Sequence, residues 1–188
     1  MQIEPLDSAR LPDLARLFGT TGVTRGCWCA YFLRTGRAFT AGWGPENRAF
    51  FEEFAADAHP PAGLLAYRDG EPVGWCATGP RSRYGRVLRS PLLRTRDADE
   101  DGTVWFVPCF FVRRDARGAG VTVGLLDAAV RLAQAHGAPA IEGFPLVGGV
   151  RHPVSEGYLG TEPTFTACGF RVTGRPSARR LVMRRELS

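Results

Sequence analysis

Apolar positions in this chain follow two spacings in turn, every second residue in short runs and every third or fourth in longer ones, which predicts strands interleaved with helices. Gln2-Ile3-Glu4-Pro5-Leu6 predicts a short first strand. Leu11, Leu14, Leu17 and Phe18 then share one face of a helix that Asp7 or Ser8 can cap. No period holds from 23 to 42, although Trp28, Tyr31, Phe32 and Phe39 make that stretch aromatic. A second helix is expected from about 45 to 58, burying Phe50, Phe51 and Phe54 and stopping before His59-Pro60-Pro61. The apolar runs at 63 to 67 and 72 to 77 flank Arg68-Asp69-Gly70-Glu71, whose Asp-Gly pair predicts a β-hairpin.

The second half continues the alternation. Residues 79 to 102, rich in Arg, Pro, Ser and Asp, are expected to form a surface connection with a helical piece near 81 to 89. A strand from 104 to 112 leads to a helix from about 119 to 136, with Val123, Leu126, Val130 and Ala133 on one face and Gly137 and Pro139 as its stop. A short strand at 140 to 144 makes this a strand, helix, strand crossover. After a loop at 145 to 160, Thr161 caps a short helix that ends at Gly169, and strands at 170 to 172 and 180 to 184 finish an α/β domain. Pro108 interrupts the strand before the crossover. It either makes a bulge there or occupies a position that needs no ladder donor.

Composition sets the outer bounds. With 188 residues, 44% of them hydrophobic, the chain is expected to form one domain over 1–188. It carries neither an apolar run of membrane-spanning length nor a signal-peptide pattern, so the expectation is a cytoplasmic protein off the membrane. Five cysteines in that setting point to reduced thiols and not to a disulfide framework. All strong bases behind the net charge of +5 are arginines, scattered among acids, which disfavours nucleic acid as a partner. The run Asp97, Asp99, Glu100 and Asp101 reads either as an attractor for a cationic acceptor or as a solvated loop.

The densest chemistry lies in Val112-Arg113-Arg114-Asp115-Ala116-Arg117-Gly118-Ala119-Gly120-Val121-Thr122, between the strand and the long helix. Small residues, nearby guanidinium groups and a helix N-terminus form a cradle for a pyrophosphate. A P-loop is excluded because the chain has no lysine. The glycine spacing also misses the dinucleotide fingerprint. The pattern Arg117, Gly120 and Thr122 after a strand valine resembles the cofactor loop of the GNAT superfamily of N-acetyltransferases, and Cys168-Gly169-Phe170 resembles that family's helix end before its sixth strand. The likeness spans about residues 60 to 188, with Thr122 standing where the family has Gly or Ala.

The resemblance implies a three-layer α/β/α fold with a mixed, mostly antiparallel sheet whose fourth and fifth strands splay apart. It also implies acetyl-CoA as acyl donor, held by Phe110, Phe111, Val112, Arg113, Arg114, Arg117, Gly118, Ala119, Gly120, Val121 and Thr122. The expected reaction is direct acetyl transfer, in a ternary complex, to a primary amine of a small molecule, with a resistance or self-protection role open. A non-catalytic acyl-CoA-binding regulatory module and a protein N-terminal or lysine acetyltransferase are the alternatives. A monomer or a homodimer is expected.

Acyl transfer to an amine needs a base, an oxyanion site and a proton for the departing thiolate. Glu142, a lone carboxylate in an apolar strand, is the candidate base or else an arginine partner. His152 is a second candidate base or simply an exposed loop residue. The family's usual donor tyrosine is Phe165 here, so Tyr158 becomes the candidate donor, with Ser155, Cys168 or water as substitutes. Trp28, Tyr31, Phe32 and Trp105 are candidates for an apolar acceptor wall, with core packing as the other reading. Cys27-Trp28-Cys29 lacks a second paired motif, so no metal is expected, and Cys109 reads as a small buried hydrophobe.

Overall fold

The computed structural model describes residues 1–19, 22–91, 96–149 and 154–187. Seven strands form one sheet: β1 (Gln2–Pro5), β2 (Gly63–Arg68), β3 (Glu71–Pro80), β4 (Trp105–Val112), β5 (Ala140–Gly143), β6 (Arg171–Ser177) and β7 (Arg180–Glu186). Their order is β1-β2-β3-β4-β5-β7-β6, and every neighbouring pair is antiparallel except β4 and β5. The β2–β3 turn is set by Asp69 and Gly70, both left-handed with φ of 53° and 78°, the backbone an Asp-Gly hairpin turn demands.

Helices cover both faces. The helix α1 (Leu11–Phe18) buries Leu14, Leu17 and Phe18, and Asp7 caps the 3-10 turn Ser8–Arg10 that leads into it. Two short helices, α2 (Gly22–Cys27) and α3 (Gly36–Ala41), occupy the aromatic stretch in which no period was legible. They precede α4 (Pro45–Ala56), in which Phe51 is buried while Phe50 and Phe54 are only partly covered. After α5 (Gly85–Leu88), the long helix α6 (Val121–Ala135) turns Val121, Leu125, Leu126, Ala129, Val130 and Ala133 inward, and α7 (Glu162–Ala167) packs beside it. One core lies between the sheet and α6. A second lies on the opposite face against α1 and α4, built on Trp75, Phe18, Phe51 and Phe111.

The parallel pair is short. Trp105, Phe106 and Val107 pair with Ile141, Glu142 and Gly143, and there β4 and β5 part. On the other side of β4, Ala77 pairs with Cys109 and Gly79 with Phe106, so Thr78 faces both Val107 and Pro108. That two-for-one match is a β-bulge, and proline fits it because it has no N–H to leave unpaired. The ring of Phe165 from α7 fills the space beside the parting strands. It meets Phe110 at 6.1 Å and Phe170 at 4.9 Å, and a Cβ on Gly143 would stand 2.5 Å from it.

Residues 79 to 102 are more than the expected surface connection. Arg81 within them is wholly buried and ion-paired with Glu142 of β5, which Arg184 of β7 also holds. His152 lies outside the described residues. Because Phe165 is fully buried against two rings and a close-approach glycine, Phe165→Ala is expected to lower unfolding free energy by about 3–5 kcal/mol. Urea titration followed by tryptophan fluorescence reads that loss.

Candidate active site

The loop from β4 to α6 takes its shape from two glycines. Gly118 and Gly120 have φ of 75° and 74°, a left-handed backbone that L side chains rarely adopt, and the space beyond each is open. Gly120 is the N-cap of α6, and no side chain caps that terminus. Main-chain N–H groups at the positive end of a fifteen-residue helix therefore face an accessible space, the arrangement that favours an anion. Arg117 folds back so that its Nε donates to the carbonyl of Val112 at 3.1 Å, and Arg113 is paired with Asp115 at 2.7 Å.

Beside this terminus lies a groove of about 430 Å³ lined by Phe110, Phe111, Val112, Arg117, Thr122 and Tyr158, among others. A second cavity, of about 420 Å³, opens on the other side of β4. Its lining includes Phe39 from α3 and Tyr31, Phe32 and Trp43 from the turns on either side of it, Trp75, Pro108, Cys109 and Phe111 from the sheet, and Tyr158 from the 3-10 turn Val154–Leu159. Phe111 and Tyr158 line both spaces, their rings stacked at 6.4 Å with planes 23° apart. The groove and the cavity thus meet at one ring pair on the stretch of β4 that has lost its β5 partner. Burial pushes the Tyr158 phenol above its ordinary value.

The sequence profile described as the acetyltransferase (GNAT) family matches residues 28–144, more than half of the chain. The chain belongs to the GNAT family of acetyltransferases. Among solved structures, the GNAT domain of S. lividans PAT has a TM-score of 0.61 at 14% identity, with 98% of this chain and 89% of that one covered. Ribosomal-protein-alanine N-acetyltransferase from Brucella melitensis has a TM-score of 0.59 at 17% identity over 100% of both chains. An N-acetyltransferase from Staphylococcus aureus Mu50 has a TM-score of 0.57 at 13% identity over 100% of this chain and 98% of that one. At such identities the likeness is one of fold. A comparison with curated proteins finds no sequence match.

Within this GNAT fold, the candidate residues separate clearly. Tyr31 and Phe32 line the cavity, whereas Trp28 stands behind it, 3% exposed and edge-on to Phe18 at 5.5 Å. Trp105 is not among the lining residues. It precedes the bulge, so strand alternation turns it to the α6 face, where it meets His136 at 5.3 Å. Glu142 is likewise removed from both spaces. It is 5% exposed, with Oε2 accepting from Arg81 Nη1 at 2.7 Å and Oε1 accepting from Arg184 Nη1 at 3.1 Å. Arg81 also donates to Asp101, and Arg184 to Glu100, each at 2.7 Å. A carboxylate with both oxygens engaged by guanidinium groups is a counter-ion in a buried network, not a base waiting for an amine proton. Among the described residues, no group of three or more His, Cys, Asp or Glu side chains is placed to hold a metal ion.

Asn47 went unread in the sequence and holds the cavity wall together. Fully buried in α4, its Nδ2 donates to the carbonyls of Gly26 and Phe39 at 3.1 Å each, and its Oδ1 accepts from Arg34 at 2.7 Å. The only signal was an asparagine within a helical pattern that disfavours it.

Glu142→Gln should cost about 1–3 kcal/mol of stability, because buried Arg81 loses one of its two carboxylate partners and keeps Asp101. The pH dependence of the folded enzyme's rate should stay unchanged. Thermal unfolding and a pH–rate profile measure the two halves. The hydrogen bond from Arg184 holds the Glu100 carboxyl below its ordinary value. Its stabilising contribution is therefore full above the unfolded carboxylate range and is lost as pH falls through the lowered folded value. An Arg184→Met variant should lose that part of the acid-side slope in chemical unfolding measured across pH.

Proposed function

We propose that this protein transfers the acetyl group of acetyl-CoA to a primary amine of a small molecule, directly, in a ternary complex. The observation that carries the reading is the meeting of groove and cavity at Phe111 and Tyr158, which gives donor and acceptor separate approaches to one point. The uncapped N-terminus of α6, with Gly118 and Gly120 beneath it and Arg117 beside it, takes the pyrophosphate of the cofactor. Thr122 lines the groove and adds a hydroxyl close to that anion. Pantetheine runs along the edge of β4 that β5 leaves free, where backbone groups of Phe110 to Val112 are available to the thioester carbonyl.

The acceptor occupies the aromatic cavity. Its volume of about 420 Å³ suits a small ligand, and Tyr31, Phe32, Phe39 and Trp43 supply apolar ring surface. Tyr158, protonated and present in both spaces, gives its proton to the departing CoA thiolate. Glu142 serves as the counter-ion of Arg81 and Arg184 and takes no part in proton transfer.

Two variants test these assignments. Arg117→Glu should weaken acetyl-CoA binding at least tenfold, because it puts a negative charge beside the phosphate site. Unchanged affinity in titration calorimetry would move the cofactor elsewhere. Tyr158→Phe should lower kcat by about a hundredfold with acetyl-CoA affinity retained. Thiol release followed with a panel of aromatic amines, aliphatic amines and peptide N-termini decides the acceptor class, and peptide turnover alone would replace the small-molecule reading.

A further inference from the structure

Three of the five cysteines, Cys27, Cys29 and Cys109, line the acceptor cavity together. Cys29 differs from the other two in backbone and in partners. Trp28 and Cys29 adopt φ of 48° and 53°, two consecutive left-handed residues with side chains, in a chain whose only other described non-glycine case is the hairpin residue Asp69. Each is a backbone conformation that L side chains disfavour. The turn they make drives Trp28 into the core against Phe18 and brings Cys29 to the cavity floor.

There the indole Nε1 of Trp75 donates to Cys29 Sγ at 3.2 Å. Trp75 is wholly buried, so its N–H depends on that sulfur. A thiol accepts a hydrogen bond weakly and a thiolate strongly, so the donor favours the anion. The Cys109 thiol, turned to the carbonyl of Phe110 at 3.7 Å, is the neighbouring S–H group. The neighbouring Cys109 first, and the Trp75 N–H with it, hold the Cys29 thiol below its ordinary value against the effect of burial. Burial and the neighbouring Cys29 push Cys27 up to about 12. The neighbouring Cys29 and burial raise Cys109 well above the ordinary thiol value. Of the three sulfurs in the cavity, Cys29 is the one that accepts from the Trp75 indole and sits on the strained turn. Cys109 is two residues from Phe111 on β4, and Phe111 and Tyr158 form the boundary with the cofactor groove.

We propose that Cys29 is an acyl-accepting thiol, which takes the acyl group of a thioester when no amine occupies the cavity. The inference rests on the acetyl-CoA reading for its natural donor. The Cys29 sulfur attacks the thioester carbonyl carbon, a new C–S bond forms to Cys29, and the carbonyl–sulfur bond to CoA breaks. CoA leaves as a thiolate and takes up the proton that Cys29 released. An arriving amine then forms the N–C bond, the bond to Cys29 breaks, and the amine proton returns to sulfur.

The test incubates the full chain with acetyl-CoA and no amine, then maps acyl adducts by mass spectrometry before and after neutral hydroxylamine, which cleaves thioesters. The expected result is a single hydroxylamine-labile acetyl group on Cys29, lost in Cys29→Ser and kept in Cys27→Ala. Serine preserves a small acceptor for the Trp75 N–H, and peptide mapping of the unaltered protein needs no variant at all. A parallel arm uses the acetyl thioester of N-acetylcysteamine, which has no pyrophosphate. If acetyl-CoA fails to bind while this small thioester still labels Cys29, the cofactor reading falls and the thiol inference stands. If acetyl-CoA binds and amines are acetylated while neither thioester labels Cys29, or Cys27 and Cys109 are labelled equally, the inference is overturned.

Discussion

The site depends on the point at which β4 stops being an ordinary strand. Up to Val107 it pairs on both sides, and its side chains alternate between the α6 face, for Trp105 and Val107, and the opposite face, for Phe106. The bulge at Val107 and Pro108 inserts one residue, and the alternation is reversed beyond it. Phe110 now faces α6, while Cys109 and Phe111 face the aromatic cavity. Without that extra residue, Cys109 and Phe111 would point into the α6 core and the cavity would lose its sheet-side wall. The same bulge coincides with the end of the β4–β5 ladder, so one irregularity both exposes a backbone edge and redirects the side chains beside it.

What fills the gap explains why it persists. Two parting strands leave a wedge that must be occupied by something other than water if the core is to remain dry. Phe165 occupies it, and the closeness of its ring to Gly143 requires that β5 end on a residue without a side chain. A hydroxyl there would need a buried partner, whereas a phenyl ring meets Phe110 and Phe170 edge-on and needs none. The family's usual tyrosine position has become packing, and the phenol that reaches both cavities arrives instead from the turn Val154–Leu159.

Legibility followed the range of the interactions. The Asp69-Gly70 turn, the glycine loop before α6 and the stop at Gly137 were readable because each is settled by a few consecutive residues. The helix boundaries moved by only a residue or two where caps, not periodicity, set them. For Trp105 and Glu142 the sequence left two readings open, because their surroundings are set by strand pairing. Odd-numbered β4 residues face α6 before the bulge, as Trp105 does, and the aromatic cavity after it, as Cys109 and Phe111 do. Glu142 acquires its partners from Arg81 and Arg184, which lie 61 and 42 positions away in the chain. The 23 to 42 stretch hid two helices because α2 and α3 are six residues each, too short for a 3.6-residue period to declare itself.

Those short helices owe their order to tertiary ties, chiefly the Asn47 amide that joins α2, α3 and α4. The ring contacts Tyr31–Phe32, Tyr31–Phe39 and Phe39–Trp43, all edge-on at 4.8 to 5.6 Å, then chain the wall residues to one another. Such a wall can move as a unit only if Asn47 lets go, since its two carbonyl partners sit on different helices. The strain at Trp28 and Cys29 lies between α2 and this wall, where a relaxed turn would carry the sulfur away from Trp75. Buried packing of Trp28 and the indole hydrogen bond therefore hold in place a conformation that the local chain disfavours. The backbone cost is concentrated at the residue that faces the cavity, and the compensating contacts lie behind it in the core.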